Sequence, residues 1–268
     1  MRIIVTHDVD LLNTRDHRFE AFLVKRVARS LVEGAAGRCS RSEVMQRVRE
    51  ILADRINHLD ALIGFDLAHG VRSTFFFGMA NGLHLNYSRE AAKPWVVRVM
   101  AAGLDVGVHG ISYDDPEAIR EEHDAFQALS GLDRFGNRMH YLRMSDRTLG
   151  CLARAGYLYD SSVESLEAPF RRDGIWEFPV NIMDVTLFCR GSRWINQSFD
   201  QAAAATEAMI RAAHAAGHPY FTVLLHDTYF TPAYRAVHDW YVWLIEYARE
   251  AGYPFSSFQD AIRDLESP

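Results

Sequence analysis

Cysteine is scarce. The 268-residue chain has three, Cys39, Cys151 and Cys189, far apart and without a CxxC pair. That excludes a disulfide framework and a zinc ribbon, and leaves buried free thiols as the expectation. Basic clusters are also missing. Lys and Arg number 29 against 35 Asp and Glu, a net charge of -6, so no stripe suits phosphate neutralisation and nucleic acid is not an expected partner. No apolar run approaches the ~20 residues of a membrane span. Met1-Arg2 leads straight into Ile3-Ile4-Val5, with no charged and apolar segments of a secretion signal before it; the compartment expected on this reading is the cytoplasm. Linkers rich in Pro, Gly and Ser are absent, as are repeats and low-complexity tracts beyond the alanine run at 202–205. A single domain over residues 1–268 is expected.

The composition, 49% hydrophobic and 24% charged, is that of a globular protein. Short apolar runs alternate with helical patterns. Strands are expected over 3–6, 71–77, 104–109, 137–141 and 220–225, with extended pieces at 177–180 and 185–188. Helices are expected over 42–63 with Ser42 as N-cap, and over 89–102, 116–129, 146–155, 199–216 and 234–251. Strands alternating with helices imply an α/β fold on a parallel sheet, with the active site at the C-terminal strand ends. Residues 11–70 exceed a normal crossover and read as a helical insertion.

The polar chemistry falls at those strand ends. Thr6-His7-Asp8-Val9-Asp10 follows the first strand; two carboxylates two residues apart point one way on an extended chain. They suit a metal ligand beside a base, or equally an Asx-turn or cap cluster. His109 ends Val106-Gly107-Val108, and Tyr113, Asp114 and Asp115 follow closely. Imidazole there is a metal ligand or a satisfied structural residue. His226 ends Val223-Leu224-Leu225 and suits a general acid, under the same alternative. Arg138-Met139-His140-Tyr141-Leu142-Arg143 surrounds a strand with charge, which is costly if buried unpaired; pairing Arg138 with an early carboxylate resolves that cost. The other histidines, at 17, 58, 69, 84, 123, 214, 218 and 238, read as surface or capping residues. Trp176, Trp194, Tyr229 and Phe230 suit sugar stacking or core packing.

The order of these motifs resembles the polysaccharide deacetylase superfamily (carbohydrate esterase family four, the nodulation-deacetylase homology fold). The resemblance runs from Thr6 to His226. It is nearest to a bacterial branch found with surface-polysaccharide synthesis, on His7 to Asp10, His109 to Tyr113, Arg138 to Arg143, Tyr159 to Ser162, Pro179 to Asp184 and His226 to Phe230. It implies a distorted, incomplete (β/α) barrel. By position it implies Asp8 as catalytic base, Asp10 and His109 as metal ligands, and Arg138 as the residue that orients the base. It further implies Tyr141 as the source of a backbone N–H for the oxyanion, Leu224 as lining for the acyl methyl, and His226 as general acid.

The chain departs from the pattern at one position. The family's second metal histidine, four residues after the first, is here Tyr113, a poor ligand at neutral pH because its pKa is near 10. Asp114 or His140 is expected to supply the third protein ligand, with His140 preferred, and Tyr113 is left to contact substrate. The function implied is metal-dependent hydrolysis of an N-acetyl group on a carbohydrate, a small-molecule or lipid-linked surface-polysaccharide precursor. The cofactor implied is a divalent cation, Zn²⁺ first, with Co²⁺ or Ni²⁺ as alternatives. Two other readings stay open: a hydrolase of a non-sugar C–N amide bond, and a non-catalytic carbohydrate-binding relative.

Overall fold

The computed structural model describes residues 1–17, 21–192 and 194–267, so residues 18–20 of the expected insertion lie outside the described residues. The first strand, β1 (Arg2–Val9), is buried from Ile3 to Val9. Such two-sided burial is the signature of a central strand in a parallel sheet. Its first half pairs in parallel with β9 (Tyr220–Leu224), and its second half with β2 (Thr74–Phe77). Asp8 therefore lies on the strand rather than after it: pairing with β2 carries the extended backbone through Val9.

From β2 the parallel order continues through β3 (Asp105–Gly110), β4 (Asn137–Met139) and β5 (Tyr159–Asp160) to β7 (Ile175–Glu177). An antiparallel strand, β6 (Phe170–Arg172), is joined to β7 by Asp173-Gly174, both at positive φ, the hairpin conformation that Asp-Gly favours. On the other flank β8 (Val180–Met183) pairs with β9.

The nine-stranded sheet curls because β7 and β8 are successive parts of one stretch of chain, residues 175–183. Pro179 has no N–H to give a ladder, and the pairing changes sides there. The stretch holds β5 with one half and β9 with the other. The Val180 N–H donates to Val163 O at 2.8 Å and the Phe178 N–H to Asp160 O at 2.9 Å, stitching the two flanks together. The β4–β5 contact is a single residue pair, Asn137 with Asp160, so the wall is thin there. The result is the distorted, incomplete (β/α) barrel.

Outside the barrel run α4 (Arg89–Ala101), α5 (Pro116–Ser130), α6 (Thr148–Ala155), α8 (Phe199–Ala215) and α9 (Arg235–Glu250). Residues 185–188, expected to be extended, belong instead to the short helix α7 (Asp184–Phe188), which starts where β8 ends. The strand expected over 137–141 stops at Met139, because Tyr141 and Leu142 take left-handed φ angles of 58° and 51°. The helix expected over 42–63 is two helices, α2 (Arg41–Leu52) and α3 (Leu59–Ala68), preceded by α1 (Phe22–Ala35). The cap of α2 is Ser40, in a capping box with Glu43, not Ser42. The break comes at Asp54, held at φ 54° while its carboxylate accepts from the Thr14 N–H and hydroxyl. Among the described residues no helix is long and apolar enough to cross a membrane.

Two apolar layers result. The larger lies between the sheet and the outer helices. The smaller fills the barrel: Ile4, Phe76, Tyr159, Phe178 and Tyr220 meet Phe258, Ala261 and Ile262 of α10 (Phe258–Glu266). α10 plugs the N-terminal mouth, tied by Arg2 to Asp264, Arg72 to Asp260 and Tyr220 Oη to Asp264. Phe258 is fully buried at the centre of this plug. Replacing Phe258 with Ala is expected to destabilise the fold by roughly 3–5 kcal/mol in denaturant unfolding; a loss under 1 kcal/mol would show that the plug carries little of the stability.

Candidate metal centre

At the C-terminal mouth, opposite the plug, Asp8, Asp10, His109, His140 and His226 line one cleft of about 540 Å³, and the buried Arg138 reaches Asp8 there. Three strands supply the central atoms. Asp10 follows β1, His109 is on β3 and His140 follows β4. The register puts His109 beside Arg138, so His140 stands two residues past His109's partner on the neighbouring strand.

The tautomers follow from the carbonyls. His109 Nδ1 lies 2.9 Å from Arg138 O, and His140 Nε2 lies 3.0 Å from Leu83 O. A carbonyl only accepts, so each of those nitrogens carries a hydrogen, and in the neutral rings His109 Nε2 and His140 Nδ1 present lone pairs. These two atoms face each other at 3.0 Å. Asp10 Oδ1 lies 3.2 Å from the first and 3.4 Å from the second. It is buried and accepts no hydrogen bond. Two nitrogens and one carboxylate oxygen that all accept and all converge are the donor set of a divalent cation.

The electrostatics agree. Burial alone would raise the Asp10 carboxyl, but His109, His140 and His226 outweigh it and hold Asp10 well below the usual carboxylate range. Burial lowers the His109 pKa, while Asp8 and Asp10 reverse this and bring a net rise. The centre draws positive charge.

Asp8 lies beside these three residues, its Oδ2 3.8 Å from His109 Nε2. Arg138 is fully buried; its Nη1 is 3.5 Å from Asp8 Oδ1, and its Nη2 donates to Thr6 Oγ1 and Ser161 Oγ. This is the pairing its burial demands. The Tyr159 to Ser162 motif works behind it. Burial and the neighbouring Asp160 push Glu177 well above its ordinary pKa. Asp160 accepts from Asn137, and Ser161 donates to Phe178 O.

Across the cleft, His226 Nε2 lies 3.8 Å from Asp10 Oδ2. Its Nδ1 is 2.8 Å from Asp184 Oδ1, and its backbone N–H donates to Asp184 Oδ2 at 2.6 Å. Burial opposes its charge, but Asp184, then Asp10 and Asp8, push the His226 pKa up to about 10. Asp184 was inside a recognised motif but received no role from the sequence. The available signal was an Asp directly after an apolar strand.

Other expected site residues lie elsewhere. Asp114 is exposed and offers its backbone carbonyl to Arg147. It stands next to Asp115, the N-cap of α5, and is not part of the group formed by Asp10, His109 and His140. Tyr113 is packed on the core under the Arg143 guanidinium and does not line the cleft. Leu224 is fully buried in β9, paired with Thr6 and Met183, and does not line the cleft either. Tyr141 does line it, 62% exposed. Of the histidines read as surface or capping, His17 and His123 are buried and His84 lines the cleft. Tyr229 lines it as well, whereas Phe230 is core. The three cysteines are free thiols.

No family model matches the chain, and no curated protein matches its sequence. Solved structures match its fold. One, described as a polysaccharide deacetylase from Mycobacterium smegmatis, is 17% identical with a TM-score of 0.65, covering 98% of this chain and 89% of that one. Another, described as a polysaccharide deacetylase from Pseudomonas aeruginosa, is 15% identical with a TM-score of 0.60 and the same coverage of 98% and 89%. A CE4 family pseudoenzyme from Bacillus anthracis is 12% identical with a TM-score of 0.52, covering 97% of this chain and 64% of that one. The chain has the fold of these structures.

If Asp10, His109 and His140 hold the cation, the full chain is expected to bind one Zn²⁺ or Co²⁺. Asp10→Asn, His109→Ala and His140→Ala should each weaken it by more than the ~10–100-fold typical of a supporting residue, while Asp114→Ala leaves it within about threefold. Calorimetric titration checks this. Loss of affinity in Asp114→Ala but not in His140→Ala would reverse the ligand assignment.

Proposed function

We propose that the chain belongs to the polysaccharide deacetylase superfamily and hydrolyses the amide of an N-acetyl group on a carbohydrate, with a divalent cation, Zn²⁺ in preference to Co²⁺ or Ni²⁺. The observation that carries this is the convergence of three acceptor atoms, from Asp10, His109 and His140, between an Arg-held carboxylate and a carboxylate-held imidazole.

A cation bound there supplies Lewis acidity, polarising the acetamide carbonyl and lowering the pKa of a water. The chain's own residues do the rest. Asp8 removes the proton from the attacking water, and Arg138 holds Asp8 in line. The Tyr141 backbone N–H faces the developing oxyanion. His226 delivers a proton from Nε2 to the leaving nitrogen as the C–N bond breaks, so that acetate and a free amine leave; Asp184 holds its Nδ1 and keeps it charged. Phe22, Tyr141, Tyr229 and Tyr234 along the cleft suit sugar faces. An aromatic-lined cleft favours a carbohydrate over a small non-sugar amide. The presence of Asp8, Arg138 and His226 together favours an enzyme over a binding relative.

Acetate release from N-acetylglucosamine derivatives in the presence of Zn²⁺ or Co²⁺ tests this. Asp8→Asn is expected to lower kcat by about 10²–10⁴-fold with metal content unchanged. Asp184→Asn should lower kcat more than it changes KM. Arg138→Lys should also impair turnover, since Lys lacks the planar fork. Wild type that holds the metal, binds sugar and releases no acetate would leave the non-catalytic reading in place.

A further inference from the structure

We propose that α1 forms an anion subsite on the cleft wall that receives a phosphate carried by the substrate, so that the chain acts on a sugar phosphate ester or diphosphate rather than on an uncharged glycan. This rests on the deacetylase reading of the centre. Lys25, Arg26 and Arg29 of α1 all line the same cleft as Asp8, Asp10 and His226. Spacings of three and four residues put them on one face of the helix.

Their charge is poorly matched by the protein. Arg26 donates to the Thr228 hydroxyl and lies 5.9 Å from the Tyr234 ring, and no carboxylate stands within ion-pair distance of it among the described residues. Arg29 Nε donates to Glu33 Oε1 at 2.9 Å, but Glu33 Oε2 is already taken by Arg47 Nη1 at 2.6 Å. Lys25 is exposed, without an ion-pair partner among the described residues. Glu33 thus pairs with Arg29 and Arg47, while Lys25 and Arg26 have no ion-pair partner among the described residues, in a chain whose net charge is -6. Asp8 and Asp10 are committed to Arg138 and the imidazoles, and Glu164 is an exposed residue elsewhere on the lining.

The part-buried Arg26 guanidinium bonds a neutral hydroxyl, with the buried Asp227 acting on it from beyond ion-pair distance, and an arriving anion would give it a direct charged partner. Arginine's fork matches phosphate oxygens in pairs, and two unpaired cations with Arg29 beside them suit a diphosphate better than a single carboxylate. A nucleoside diphosphate and a lipid diphosphate share this chemistry.

The experiment is calorimetric titration of the full chain with N-acetylglucosamine, its 1-phosphate, its uridine diphosphate ester and its decyl diphosphate ester, with acetate followed in the same mixtures. Wild type is expected to bind the phosphorylated probes at least about tenfold more tightly than the free sugar, with the advantage shrinking as salt rises. In Lys25→Gln/Arg26→Gln the advantage should fall to within about threefold, while Arg26→Lys keeps part of it. If the double variant melts early, Lys25→Gln and Arg26→Gln are read singly. The tighter of the two diphosphate esters identifies the source, and equal binding identifies the diphosphate itself as what is read. Equal binding of neutral and charged probes by wild type, or a charge preference that survives in the folded double variant, overturns the subsite. Charge preference without acetate release would leave the subsite and remove the deacetylase reading; acetate from the neutral sugar without charge preference does the reverse.

Discussion

Three acceptor atoms are held face to face, and the rest of the mouth is arranged to keep them there. Asp10 Oδ1, His109 Nε2 and His140 Nδ1 approach to 3.0–3.4 Å and have no hydrogens to share once both imidazoles are neutral, a set that could hold a cation. The backbone enforces this. Arg138 O fixes the His109 tautomer, Leu83 O fixes that of His140, and the Arg138 side chain reaches Asp8. A single residue on β4 therefore sets the His109 tautomer with its main chain and contacts the proposed base with its side chain.

Much of the frame was legible in the sequence because burial on both faces leaves a parallel strand little choice but a run of apolar residues. Asp8, Asp10, His109 and His226 were singled out by their place near the ends of such runs, and Arg138 by the cost of burying its charge unpaired; the structure brings them to one mouth. What escaped was decided by contacts remote in sequence. The Asp54 carboxylate, reaching Thr14, breaks a periodicity that looks continuous from 42 to 63. Asp184 becomes the partner of His226 only when β8 and β9 lie side by side. Between Asp114 and His140 ligand chemistry gave His140 only a slight preference. Asp114 is exposed beside the cap of α5, and the β3–β4 register brings the other residue in.

The helices between β1 and β2 are tied to the barrel by polar contacts as well as apolar ones. His7, on β1 between the inward-facing Thr6 and Asp8, turns to the outer layer. Its Nε2 meets Asp66 of α3 at 2.9 Å, and Asp66 also accepts from Tyr241 Oη and Ser73 Oγ. α3 thus acts as the crossover helix of the barrel, while α1 and α2 are the added part. Arg47 of α2 reaches Ala233 O, and Arg26 of α1 reaches Thr228, both in the segment after β9. The added helices are fastened to the loop that begins with His226, which is why α1 overlooks the cleft.

Moving the proposed third ligand from position 113 to His140 has a structural consequence. His140 opens a turn in which Tyr141 and Leu142 both take left-handed φ angles, and the carbonyl that fixes its ring belongs to Leu83, itself at φ 53° beside His84 at 74°. Four non-glycine residues in this conformation cost of order 1 kcal/mol each or more. Fixed neighbours hold them: the Met139 N–H donates to Ser162 Oγ at 2.8 Å, and Arg143 donates to Ile111 O. A ligand on the loop after β3 would be independent of that turn. A ligand at 140 is not, because the next peptide N–H is the one proposed to meet the oxyanion. In this chain the proposed cation ligand and the proposed oxyanion donor therefore sit side by side on one strained turn.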